Sequence, residues 1–143
     1  MSTKLVAAAR IGLGLVFVVF GLNGLLHFLP QPPLPADAGS FLGALVATGY
    51  MLPLIKGTEI AAGLLLLANR FVPLALLLLA PVVVNIVAFH LVLAPPNPVT
   101  ALVLLLEAGL AWAYRDSFRA VLEAHARPRP AAAGGVTIAT AAR

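Results

Sequence analysis

The sequence predicts an all-α membrane protein, a four-transmembrane-helix bundle with a short interfacial helix in its first outer loop. Three observations carry that prediction. The 143 residues are 62% hydrophobic and only 10% charged, where soluble domains hold about 45–50% and about 25%. Mean hydropathy is +1.05. The apolar residues gather into four runs near the length, about 20 residues, that a helix needs to cross a hydrocarbon core about 30 Å thick. A soluble chain of this size could not cover so much apolar surface, which excludes a soluble enzyme, a nucleic-acid binder and a disordered protein.

The first run covers residues 11–29, follows Lys4 and Arg10, and stops at Pro30. It is too long for a signal peptide and no small-residue cleavage site follows, so it is expected to stay as an anchored span. After a proline-rich stretch, residues 37–50 place Phe41, Leu42, Leu45 and Val46 at helical spacing behind a cap at Asp37 or Ser40. That stretch is too short to span and suits a helix lying in the interface, with Tyr50 at headgroup level. The second run, residues 52–68, contains Lys56 and Glu59, and Asn69-Arg70 turns tightly into the third, residues 71–94. Pro73 falls in a first helical turn, where proline is tolerated, whereas Pro81 is interior and predicts a kink. Pro95-Pro96-Asn97-Pro98 closes the third run. The fourth, residues 99–114, ends in Trp112, Tyr114 and Arg115, an aromatic belt followed by charge. The membrane domain is therefore drawn at residues 1–126, and residues 127–143, Arg-Pro-Arg-Pro and then Ala, Gly and Thr, read as a disordered basic tail.

The nine lysines and arginines, Lys56 apart, flank the runs on one side, and the first and third loops hold none. The positive-inside rule then places both termini in the cytoplasm. The net charge of +4 is expected to meet lipid headgroups rather than nucleic acid. With no cysteine, disulfides, CxxC redox motifs and cysteine-ligated clusters are excluded.

Seven residues stand where hydrocarbon disfavours them: Asn23, His27, Lys56, Glu59, Asn85, His90 and Glu107. Counted from the two outer loops, they fall in one polar layer in the outer half of the bilayer, to which all four spans contribute. A charge at mid-span costs about 2.5–3.5 kcal/mol on insertion scales. Lys56 and Glu59, three apart, are expected to pair on one helix face. Glu107 is then left protonated or beside a cationic histidine, so the layer should titrate. The competing reading is interhelical glue, worth about 0.6 kcal/mol per polar contact. His27, His90 and Glu107 are suitable metal-ligand types, but their spacing demands no metal. Glycines at 12, 14, 21, 24, 63 and 109 read as close-packing positions. Phe28 and Phe89, each next to a histidine, could sandwich a flat ring. A short, gapped internal repeat joins Asn23…His27 to Asn85…His90, each followed by a span with a glutamate, Glu59 or Glu107.

At these residues the sequence resembles the DoxX family of small bacterial membrane proteins. The resemblance rests on residues 21–30 (GLNGLLHFLP), 47–60 (ATGYMLPLIKGTEI), 70–74 (RFVPL) running to 80–90 (APVVVNIVAFH), and 112–116 (WAYRD). It covers about residues 10–122. It implies a four-span bundle in the bacterial inner membrane and an association with membrane redox systems, including quinone-linked sulfur oxidation. It supplies no catalytic set to carry over, and the missing cysteines put a thiol relay in doubt.

The leading expectation is a quinone-interacting or accessory subunit of a membrane redox system. Its polar layer would hydrogen-bond a quinone headgroup and relay protons. The chain encodes no cofactor of its own; quinone would be the ligand, and the partners are the bilayer, a redox protein and a second copy as a homodimer. The alternatives are a non-catalytic membrane scaffold and, behind it, a small proton-coupled transporter.

Overall fold

The computed structural model describes residues 2–30 and 33–125; the expected tail at 127–143 lies outside them. Among the described residues there are five α-helices and one 3₁₀ turn, with no strand.

Helix α1 (Thr3–Leu26) starts well before the predicted residue 11. Ser2 caps it, its Oγ accepting from the Leu5 N–H at 3.3 Å, and the alanines at 7–9 continue it without a break. It also ends early. His27 takes a left-handed conformation, φ 53°, and its N–H bonds the Asn23 carbonyl at 2.8 Å, the single-bond helix stop in which a non-glycine residue is tolerated when it is His or Asn. Helix α2 (Ala36–Ala47) occupies most of the predicted interfacial stretch, but its cap is neither Asp37 nor Ser40. Pro35 stands at the N-cap with no side-chain bond, and Asp37 sits in the first turn, where the helix dipole favours a carboxylate. Gly49 at φ +75° then lets the chain bend sharply, so that α2 and α3 (Met51–Leu67) meet at 92°.

The α3–α4 turn closes with two crossed backbone bonds, Arg70 N–H to Leu65 carbonyl at 3.0 Å and Asn69 N–H to Leu66 carbonyl at 3.1 Å. This is a Schellman motif with Asn69, φ 54°, in the left-handed position. Helix α4 (Val72–Val92) has proline in its first turn and runs on through Pro81 as one helix. Asn97 caps α5 (Pro98–Ala113), its Oδ1 accepting from the Val99 N–H at 2.9 Å, and the 3₁₀ turn Arg115–Phe118 follows.

Helices α1, α3, α4 and α5 pack in a ring, each against its two neighbours, α5 closing on α1. Glycine sets the closest crossing. A Cβ on Gly63 would lie 2.9 Å from the Gly14 carbonyl oxygen, and one on Gly14 would lie 3.0 Å from that of Gly63. No side chain fits between these backbones. The predicted glycine contacts at 21 and 24 form as well, but nothing stands within 4 Å of a Cβ on Gly109.

The core, Leu13, Phe17, Leu66, Leu76, Leu79 and Leu110 among it, fills the half of the ring nearest the N-terminus. The other half stays open beneath α2. Large apolar side chains on the outer faces remain exposed, including Leu15, Leu64, Val84 and Leu105. Helices α1 and α4 are long and apolar enough to cross a membrane, and α2 with α3 would count as a third, broken span; α5 is a shorter apolar helix. The fold is thus all-α, with two to three candidate spans by length and composition.

Candidate ligand cavity

Where the ring opens, the end of α1, the prolines of both long loops, α2, the start of α3 and the second half of α4 enclose a cavity of about 920 Å³. That lies within the range of about 300–1,000 Å³ typical of small-molecule sites. Its lining is chiefly leucine, isoleucine, phenylalanine and proline, with Lys56, Glu59, Asn85 and His90 as the polar exceptions on α3 and α4.

Lys56 reaches its position because Gly24 lacks a side chain. A Cβ there would fall 2.6 Å from Lys56 Cε, so the lysine stem lies directly on the α1 backbone. Its ammonium donates to both Glu59 oxygens at 2.9 Å. Glu59 is 2% exposed, while the lysine side chain keeps 21%. The expected ion pair is formed, its acid sealed and its ammonium at the cavity wall. An ammonium has three protons, and two go to Glu59.

His90 is held from two sides. Its Nδ1 stands 2.9 Å from the Ile86 carbonyl oxygen and 3.1 Å from Thr100 Oγ1. A carbonyl oxygen only accepts, so Nδ1 carries the proton in this arrangement and Nε2 is the ring nitrogen left for another partner. Phe89 packs edge-on to the imidazole at 5.3 Å, and Phe41 of α2 lies 5.8 Å from Phe89 at a 41° tilt. The aromatic wall beside His90 therefore pairs Phe89 with Phe41 rather than with Phe28, which is exposed.

The seven-residue layer is not one site. Four of its members, Lys56, Glu59, Asn85 and His90, line the same cavity. Asn23 is buried, but its Oδ1 accepts from the Leu29 N–H at 2.7 Å and ties down the chain after α1. His27 is exposed and forms the helix stop. Glu107 lines a separate cavity of about 240 Å³ with Leu76 and Phe118. Its neighbour Leu106 stands by Gly12, whereas Lys56 stands by Gly24. Those glycines are twelve residues apart on α1, about 18 Å at about 1.5 Å per residue. Neither histidine bonds Glu107, and its Oε2 has no partner among the described residues.

Three contributors escaped the sequence reading. Thr100 follows His90 by ten residues across a proline-rich turn, a spacing that only the closed loop reveals. Phe41 points to the cavity from α2. Arg10, taken as a flanking charge, is buried within α1, and its guanidinium donates to the Leu66 carbonyl and, at 3.3 Å, to that of Leu67. It satisfies carbonyls at the α3 C-terminus, where the dipole favours a cation.

No family model, curated protein or solved structure matches this chain.

Proposed function

We propose that the chain is a DoxX-like integral membrane protein that holds a quinone headgroup in the cavity beneath α2, as a quinone-interacting or accessory subunit of a membrane redox system. The observation that carries this reading is the composition of that cavity. A quinone is a flat ring with two carbonyl acceptors and an apolar tail. The cavity sets an ammonium and an imidazole, Lys56 and His90, beside the Phe41–Phe89 pair, within walls made mostly of aliphatic side chains and proline that also hold Glu59, Asn85 and Asn97. The third ammonium proton of Lys56 suits a quinone carbonyl, and Nε2 of His90 suits a quinol hydroxyl. Glu59 holds the lysine ammonium at the wall, with both its oxygens 2.9 Å from Nζ. With no cysteine in the chain, electrons reach such a quinone from a partner protein or a soluble donor.

The membrane arrangement belongs to the same proposal: α1, α3, α4 and α5 each cross the bilayer, α2 lies in the outer interface, and both termini are cytoplasmic in a bacterial inner membrane. The short α3 and α5 are accommodated by local thinning or by flanking residues reaching to the interface. Two features support it. Exposed apolar side chains encircle the ring, and Arg10, Arg70 and Arg115 gather at the end opposite α2. Arg115 also stacks on Trp112, 5.2 Å from the ring centre, as an interfacial anchor would.

The test is photoaffinity labelling with an azidoquinone in native membranes, followed by peptide mapping. The proposal expects adducts on α2 and the second half of α4, displaced by excess unlabelled quinone. Labelling confined to the outer faces of α1 and α5 would refute it. The chain lacks cysteine, so single cysteines at Ser2 and Asn97 report topology cleanly: only the second should react with an impermeant maleimide added outside.

A further inference from the structure

A second, smaller cavity adjoins the one beneath α2. It holds about 250 Å³ between α2 and α4 and is lined by Phe41 of α2 and by Asn85, Ala88, Phe89, Val92 and Leu93 of α4. Phe41, Asn85 and Phe89 also line the cavity of about 920 Å³, so the two spaces meet at the tilted Phe41–Phe89 pair, whose ring centres stand 5.8 Å apart. Beyond that pair the lining turns outward. Ala88 and Val92 are exposed, and at helical spacing with the exposed Val84 and Leu91 they form the outer apolar face of α4. The chemistry divides the same way: Lys56, Glu59 and His90 border the larger cavity alone, and Asn85 is the one polar residue lining the smaller. Helix α2 is tied to α3 by the bend at Gly49 and packs on that helix. Its aromatic contact with α4 among the described residues is the Phe41–Phe89 pair.

We propose that the smaller cavity is the tail slot of the site: the ring of a chain-bearing quinone sits in the larger cavity, and its isoprenoid chain runs along the Phe41–Phe89 pair and over Ala88 and Val92 into the outer leaflet. The inference rests on the quinone reading and adds to it a substrate class and a route. The substrate is a lipid-resident quinone rather than a water-soluble one, and it enters sideways from hydrocarbon between α2 and α4. A polar head chamber that continues into an apolar slot on a lipid-facing helix surface matches the two ends of such a molecule. The ring finds its hydrogen-bond partners inside, and the chain never has to leave an apolar environment.

The experiment uses the full-length protein in nanodiscs and two probes. One is the dimethoxy-methylbenzoquinone headgroup alone, and the other is the same ring with a decyl chain ending in a diazirine. Affinity for each, referred to its concentration in the lipid, is measured on wild type, Ala88→Trp and Val84→Trp. Ala88 lines the smaller cavity alone, whereas Val84, exposed one turn earlier on α4, lines neither. The decyl probe should bind Ala88→Trp at least about tenfold more weakly than wild type, while the headgroup alone binds all three proteins alike and Val84→Trp matches wild type with both. On irradiation of wild type, the chain end should label α2 and residues 88–92 of α4. Equal decyl binding by all three proteins would overturn the route. So would a loss of headgroup binding in Ala88→Trp as large as the decyl loss, or chain-end labelling confined to α1 or α5. The two failures are distinguishable: if wild type binds neither probe, the quinone reading falls and the route with it, whereas headgroup binding with an ineffective Ala88→Trp removes the route alone.

Discussion

Breaking the Lys56–Glu59 pair from one side should cost far more than removing both charges together. Glu59 is 2% exposed and receives its hydrogen bonds from Lys56 alone. In Lys56→Met the stem still lies on Gly24, but a buried carboxylate loses its only donor. Orphaning one partner of a buried pair costs about 3–5 kcal/mol, and the partial exposure of the lysine places this case at the low end, about 3 kcal/mol. Glu59→Gln leaves an ammonium that can still turn toward the cavity, and should cost about 1–2 kcal/mol. The double variant carries neither charge and should return to within about 1 kcal/mol of wild type, as paired replacements of buried ions do. The coupling between the two positions is therefore expected at about 3 kcal/mol, well beyond the additivity error of about 0.5 kcal/mol for independent sites. Steric-trap unfolding of all four proteins in bicelles measures it. If the single-variant costs simply add, the pair contributes no mutual stabilisation and the arrangement of this wall is wrong.

Other elements give further expectations. Gly63→Ala places a Cβ 2.9 Å from the Gly14 carbonyl and 3.1 Å from the Val18 nitrogen, so it should destabilise by about 1–3 kcal/mol; Gly109→Ala, with open space around it, should be neutral or stabilise by about 0.5–1 kcal/mol. Arg10→Met should cost about 1.5–3 kcal/mol by removing the guanidinium donor from the carbonyls of Leu66 and Leu67, of which the first keeps only the Asn69 N–H, an effect absent if Arg10 were only a lipid-facing charge. His27→Gly relieves a left-handed residue and should stabilise by roughly 0.5–1 kcal/mol. It should also leave ligand binding unchanged, whereas a ligating His27 would lose it.

Much of the scaffold was legible because its punctuation is local. Pro30, Asn69-Arg70 and the prolines at 95, 96 and 98 interrupt apolar runs, and each falls in or beside a turn. The Lys56–Glu59 pair was legible for the same reason, since residues three apart share a helix face whatever the tertiary structure. The roles of Asn23 and His27 were not. A polar residue that closes a helix end and one that holds a ligand look alike in sequence, and only the φ of His27 and the bond from Leu29 to the Asn23 side chain decide between them. Depth failed for Glu107 because counting from a loop fixes position along one helix, not the level at which that helix packs. Leu106 lands beside Gly12, far from the Lys56 level. Arg10 was misread because Ser2 starts α1 a full two turns before the apolar run. The cavity itself was invisible, since it exists only because a bend at Gly49 turns α2 across the open end of the ring.

Quinone titration of the purified protein in nanodiscs tests the central claim most directly. A ubiquinone and a menaquinone analogue are compared on wild type, His90→Leu, the Lys56→Met/Glu59→Gln double variant and Glu107→Gln. The account predicts saturable binding near one per chain, weakened at least tenfold, about 1.4 kcal/mol, in the two cavity variants and unchanged in Glu107→Gln. Binding that is absent, or equal across all four proteins while each stays folded, would contradict it and leave the cavity polar groups as helix-packing contacts alone.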